Sequence, residues 1–330
     1  MDTIQNILKK QYNIRIDSCK KLNIGAGSNV FHIIADNGEQ FILKNAHVNE
    51  ANNPQNEPEI CKHLLSKGIP VSEFLPNIYG KHIVYDKDKI YHMQKYVSGE
   101  NYEMHGAPVW LMEEMPRMLG EIHTALANYA PLPMGIGENF FTFMTPLNAL
   151  KSYEKSYQYA LTNHLNELAD DLCYRIGLMR RLDIPEINFG KLTRANTHGD
   201  FFISQIICNN MKIAAVIDWT TACVHPVVWE ILRSFVYGNP NCRDGVIHIP
   251  DLVEYTKAYL SKASLNRYDL EMMPYVFYYQ ISVCDYYNQY FHSDADNRYI
   301  YLQQARLSTK LMKWFELHGN EISHALAGLS

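Results

Sequence analysis

Two aspartates 18 residues apart carry the most chemistry in this chain. Asp200 stands in the stretch Thr197-His198-Gly199-Asp200-Phe201-Phe202-Ile203-Ser204-Gln205, and Asp218 ends the apolar run Ala215-Val216-Ile217-Asp218-Trp219. Phosphoryl transfer asks for carboxylates with two different tasks, one facing the acceptor hydroxyl and one holding the magnesium that bridges the nucleotide phosphates. Asp200 suits the first task and Asp218 the second. Between them, Ile206-Ile207-Cys208 and Ile213-Ala214-Ala215-Val216-Ile217 read as strands with Asn209-Asn210 as the turn. That hairpin is expected to make the two carboxylates neighbours.

The elements that must position them can be followed along the chain. Cys19 to Ile24 leads into Gly25-Ala26-Gly27-Ser28-Asn29, and Val30 to Ala35 leads out. Two strands around a small-residue loop let backbone N–H groups approach phosphate oxygens that side chains would obstruct. A turn at Asp36-Asn37-Gly38-Glu39 precedes the strand Gln40-Phe41-Ile42-Leu43-Lys44. Ile60, Leu64 and Leu65 then follow Glu57 and Glu59 at helical spacing. Strands Lys81–Tyr85 and Lys89–Met93 flank the polar turn Asp86-Lys87-Asp88 and lead into Gln94-Lys95-Tyr96-Val97-Ser98-Gly99-Glu100. Met112 through Ala127 is helical in pattern, Asn128 to Met144 reads as a loop or insertion, and Asn148 to about Leu182 holds one or two helices.

His198-Gly199-Asp200 followed by Ile217-Asp218-Trp219 resembles the signature of the aminoglycoside phosphotransferase and choline kinase family, which shares its fold with protein kinases. Gln205 stands where the family normally has Asn; its amide oxygen sits on a stem one methylene longer and still suits a metal. The resemblance extends in order over nearly the whole chain, through Gly25-Ala26-Gly27, Lys44, Gly68-Ile69-Pro70-Val71, the connector at Gln94 to Glu100 and Leu119-Gly120-Glu121-Ile122-His123. It implies an α+β, two-lobe, protein-kinase-like fold: a small β-rich nucleotide-binding lobe at 1–97 and a large, mainly helical catalytic and acceptor-binding lobe at 98–330. It implies ATP and Mg2+ as cofactors. Asp200 would be the catalytic residue and Gln205 and Asp218 the metal ligands. Gly25, Gly27, Ser28 and Lys44 would hold phosphate, and the Gln94 carbonyl and Tyr96 N–H would read adenine.

The family pairs its lysine with a helix glutamate. Two residues two apart lie about 200° around a helix, so Glu57 and Glu59 cannot share that task; spacing to Leu64 favours Glu57. Pro58, read as the first helical residue, would leave Glu57 on the cap. His123 is expected to be a packed histidine and Glu230, in place of the family's Asp, a structural anchor. The C-terminal aromatics, from Tyr275 to Phe291, suit helix–helix contacts or a cage for a cation.

Composition narrows the function classes. A formal charge of −5 and scattered Lys and Arg give no electrostatic case for nucleic acid or an anionic membrane. No run approaches the roughly 18 apolar residues of a membrane span and the N-terminus has no signal-peptide core, so a cytoplasmic location is expected. Seven cysteines without a C-x-x-C spacing fit free thiols in a reducing compartment. The expected activity is phosphorylation of a hydroxyl on a small-molecule partner, an amino sugar, amino alcohol or similar metabolite. The competing expectation is a catalytically weak or inactive kinase-like protein with a nucleotide-binding, regulatory or spore-coat-like structural role.

Overall fold

Alternating apolar residues build the first sheet. In β1 (Ile16–Leu22), β2 (Asn29–Ala35) and β3 (Gln40–His47), successive side chains point to opposite faces, and Ile33, Ala35, Phe41 and Leu43 are buried on one of them. That face packs against Ile4, Ile7, Leu8 and Tyr12 from helix α1 (Asp2–Ile7) and the π-helical turn Leu8–Tyr12 that continues it. Helix α2 (Asn56–Ser66) follows, then β4 (Phe74–Leu75), β5 (Val84–Asp86) and β6 (Lys89–Lys95). The sheet is antiparallel with order β1-β2-β3-β6-β4, and β5 also pairs with β6. This computed structural model describes residues 2–22, 29–47, 53–133, 145–182, 184–293 and 298–330.

The chain forms two units. Met1–Asn101 and Gln205–Thr220 make the first; Tyr102–Ser204 and Thr221–Ser330 make the second. The hairpin that ends in Asp218 therefore groups with the sheet, far from it in sequence. Val216 bridges Val71, and Glu100 and Cys208 exchange backbone hydrogen bonds of 2.9 and 2.8 Å. Its strands are β8 (Ile206–Asn209) and β9 (Lys212–Val216), with Asn209 opposite Lys212, so the turn lies at Asn210-Met211, one residue later than the sequence suggests. Both turn residues have positive φ, 51° and 57°, the backbone that a two-residue hairpin of right-handed twist requires.

The second unit is helical. It contains α3 (Val109–Leu126), α4 (Pro146–Thr162), α5 (Asn166–Arg181), α6 (Val227–Gly238), α7 (Ile249–Leu260), α8 (Arg267–Val283), α9 (Tyr286–His292) and α10 (Tyr299–Ala327). Thr145 caps α4 and Asn266 with Asp269 forms a capping box on α8, which satisfies N-terminal backbone donors. The two-stranded pair β7 (Arg194–Thr197) and β10 (Cys223–Pro226) sets the base of the Asp200 loop. The C-terminal aromatics go mostly into helix contacts: Tyr275, Phe277, Tyr278 and Tyr287 are buried, and Tyr278 stacks on Phe315. Among the described residues no helix is long and apolar enough to cross a membrane, and none of the seven cysteines is in a disulfide.

Candidate active site

Lys44 owes its place to the alternation of β3. Phe41 and Leu43 enter the core, so Lys44 projects from the opposite face, where its cross-strand partner is His92 on β6. Its ammonium lies 3.3 Å from Asp218 Oδ1 and 3.9 Å from Glu57 Oε1, with the side chain 11% exposed. Glu57 is buried while Glu59 is exposed, so the 200° separation on α2 resolves which glutamate meets the lysine. The helix begins at Asn56 rather than at Pro58. Pro58 falls in the first turn, where its missing N–H costs nothing, and Glu57 is helical rather than a cap.

Glu57 does more than pair. Its Oε1 accepts the Trp219 N–H at 3.2 Å, which ties α2 to the residue after Asp218. Burial works against charge on Lys44, but Glu57 and Asp218 outweigh it and raise its pKa. Burial raises the pKa of Glu57, Lys44 pulls it back, and the nearby Asp218 pushes it up again. The directions agree physically: two carboxylates share one ammonium, which stays charged. His92 Nε2 lies 3.8 Å from Glu57 Oε2, yet burial and the adjacent Lys44 lower its pKa to about 3. The ring is neutral at physiological pH, so that contact is not an ion pair.

Asp218 has φ of 67°, a left-handed conformation that is uncommon outside Gly, Asn and Asp and clusters at functional positions. Its Oδ1 also accepts from Thr220 Oγ1 at 3.2 Å. The carbonyl of Gln205 accepts from the N–H of Ile217 at 2.9 Å, which sets Gln205 across from the residue before Asp218. Magnesium binds through one or two protein oxygens together with phosphate oxygens and water. The partly exposed Asp218 carboxylate and the Gln205 amide suit that mode, and among the described residues no group of three or more His, Cys, Asp or Glu could hold a metal.

The connector departs from expectation. The Tyr96 N–H donates to the Gln40 carbonyl at 3.1 Å, extending the β3–β6 ladder by one residue, so this donor is spent within the sheet rather than left for adenine. The Tyr96 ring stacks on His32 with centroids 4.5 Å apart. Gln94 lies between Ile42 and Phe74 in the sheet register. Gly25, Gly27 and Ser28 lie outside the described residues.

Asp200 belongs to the second unit. Gly199 before it has φ of 80°, and an added Cβ would sit 2.1 Å from the Thr221 carbonyl oxygen, so only glycine fits. The Asp200 N–H donates to His198 Nδ1 at 3.3 Å, and the Phe201 N–H donates to Glu230 Oε1 at 3.2 Å. Glu230, wholly buried, also meets His123 Nε2 at 3.0 Å, and His123 Nδ1 meets the Tyr259 hydroxyl at 2.8 Å. Burial would raise the pKa of Glu230, but the hydrogen bond and charge interaction with His123 outweigh it and lower it. His123 is thus packed into the support of the loop. Arg233 of α6 places a guanidinium nitrogen 2.6 Å from Asp200 Oδ1. Sequence reasoning missed this residue.

No curated protein sequence matches the chain. The solved structure of amicoumacin kinase hAmiN, in complex with AMP-PNP, Ca2+ and Ami, is 13% identical, with 94% of this chain and 92% of that one covered and a TM-score of 0.65. The microcompartment-associated aminopropanol kinase gives 12%, 97% and 99% coverage, and 0.63. An aminoglycoside phosphotransferase from Alicyclobacillus acidocaldarius subsp. acidocaldarius gives 14%, 95% and 94% coverage, and 0.60. These likenesses are of fold: an antiparallel sheet unit and a helical unit, as in kinase-like phosphotransferases. The sequence model of APH, the phosphotransferase enzyme family, matches residues 18–257, and the chain belongs to that family.

Proposed function

We propose that the chain transfers the γ-phosphoryl group of ATP, with Mg2+, to a hydroxyl of a small molecule such as an amino sugar, an amino alcohol or a similar metabolite in the cytoplasm. One observation carries the reading: Lys44 is a buried cation shared between Glu57 and Asp218. Burying such a set costs more in desolvation than packing alone recovers. Binding nucleotide phosphates supplies a reason for it.

In this reading Lys44 steadies the phosphates together with the backbone of Gly25, Gly27 and Ser28. The Gln94 carbonyl, with two lone pairs, is the candidate for adenine. Asp218 and Gln205 would hold Mg2+, which when bound neutralises charge on the phosphates. Asp200 orients the acceptor hydroxyl and takes its proton as the hydroxyl oxygen bonds to the γ-phosphorus and ADP leaves. The bound AMP-PNP of the amicoumacin kinase supports a nucleotide donor, and the aminopropanol kinase supports a small hydroxyl acceptor.

The test is ADP release from ATP across a panel of amino sugars, amino alcohols and pentoses, beside thermal shift by ATP with and without Mg2+. Acceptor-dependent ADP release is expected. Failure of every acceptor together with no Mg2+-dependent shift would overturn the proposal.

A further inference from the structure

Helix α6 is apolar or small along nearly all of its length and carries two charges, Glu230 and Arg233. Positions three apart share a helix face, so both reach the same loop. Glu230 takes the N–H of Phe201 and fixes the backbone just after Asp200. Arg233 takes the side chain, with Nη2 at 2.6 Å from Asp200 Oδ1.

The guanidinium is clamped. Its carbon lies 4.7 Å from the centroid of the Phe202 ring, 4.8 Å from that of Tyr237 and 5.3 Å from that of Trp229, and the side chain is only 13% exposed. Cation–π attraction and burial leave it few alternative rotamers. Arg175 shows what a wholly structural buried arginine looks like in the same unit: it bonds to Thr309, to the Tyr153 hydroxyl and to the Ala305 carbonyl. Arg233 instead leaves Nη1 buried with no hydrogen-bond partner among the described residues, and spends its shortest contact on a carboxylate that is itself 31% exposed. A buried unsatisfied N–H is costly, and the fold gains nothing evident from it.

We infer that Arg233 is the positioning residue of Asp200, fixing the direction in which the carboxylate meets the acceptor hydroxyl. The catalytic consequence rests on the reading of Asp200 proposed above. A planar guanidinium suits this task because it holds direction as well as charge, whereas an ammonium holds charge alone.

The test compares wild type with Arg233→Met and Arg233→Lys. In Arg233→Met, kcat falls by about 10- to 100-fold, the scale of a misplaced catalytic group, while the KM for Mg-ATP is unchanged. The acid limb of its kcat–pH profile moves to higher pH, because the carboxylate has lost a neighbouring cation. In protein carrying 13C-labelled aspartate, with Asp200→Asn identifying the resonance, the Asp200 carboxyl titrates at higher pH in Arg233→Met. Arg233→Lys restores the position of the limb but only part of kcat. A loss of kcat without movement of the limb or the titration would mark a merely structural residue and overturn the inference. An unmoved titration overturns it with the reading of Asp200 intact, whereas undiminished transfer by Asp200→Asn removes that reading itself. If the Met variant does not fold, Arg233→Lys decides: an intermediate kcat supports the inference and a wild-type kcat overturns it.

Discussion

Replacing Glu57 with Gln isolates the charge that Lys44 faces, because the amide keeps both the length of the side chain and an oxygen for the Trp219 N–H. A unit-charge pair 3.9 Å apart gains about 4 kcal/mol at an effective dielectric near 20. Two effects reduce the net loss. The buried carboxylate no longer has to be desolvated, and Asp218 still pairs with Lys44 at 3.3 Å, so the cation is not orphaned. The expected cost is therefore about 1–3 kcal/mol, below the roughly 3–5 kcal/mol of leaving a buried charge with no partner. Glu59→Gln, two residues on and exposed, should stay within about 0.5 kcal/mol of wild type. Urea denaturation reads both costs, and the apparent affinity for Mg-ATP reads the displacement of Lys44 toward Asp218, a loss of about tenfold for each 1.4 kcal/mol. If Glu57→Gln and Glu59→Gln match in urea midpoint and in Mg-ATP affinity, the pairing of Lys44 with Glu57 is refuted.

Gly199→Ala combines a positive φ with a Cβ 2.1 Å from a backbone oxygen; it should destabilise by about 2–4 kcal/mol and depress transfer, and an unchanged urea midpoint would contradict this. Asp218→Asn should lose the Mg2+-linked thermal shift by ATP together with turnover, whereas Asp200→Asn should keep that shift and lose transfer by roughly 10²–10⁴-fold; equal loss of nucleotide binding in both would end the division of labour. Acid should weaken the fold through His92 and His225, whose pKa values burial lowers from 6.5 to about 3 and about 4. Both are held neutral when folded, so the unfolded chain binds more protons and stability is lost as pH falls below about 6.5, by about 1 kcal/mol per histidine between pH 7 and 5.5. A urea midpoint that is flat over that interval, or a slope unaltered by His225→Phe, would refute the assignment.

The order of elements was legible because each motif carries its own local signal: alternation in β3 before Lys44, helical spacing after Glu57, an apolar strand before Asp218. The choice between Glu57 and Glu59 followed from helix geometry once the register of α2 was fixed. The turn at Asn210-Met211 was not legible, since Asn209-Asn210 and Asn210-Met211 both offer an Asn that tolerates positive φ. The pairing of the Tyr96 N–H with Gln40 was not legible for a different reason: a backbone N–H has no sequence signature, and whether it pairs depends on how far a ladder runs. Arg233 had a signal that could have been read. Two charges three apart inside the run from Val227 to Gly238 are out of place on a buried helix unless each has a partner. What sequence could not supply was the identity of the partners.

The local rules are broken in each unit, which bears on the competing reading of an inactive, structural relative. Lys44 and Glu57 put charge in the interior, and Asp218 adopts a left-handed backbone. In the other unit, Gly199 tolerates no side chain, and Arg233 leaves a buried nitrogen with no hydrogen-bond partner among the described residues, beside Asp200. None of these helps a protein whose task is only to fold, because apolar residues of similar volume commonly serve a buried ion pair's place at equal or better stability. Natural chains depart from such consistency chiefly at functional sites. Gln205 in place of Asn does not offset that argument: it alters the reach of one metal donor and leaves the buried Lys44, the strained Asp218 and the clamped Asp200 unexplained by structure alone.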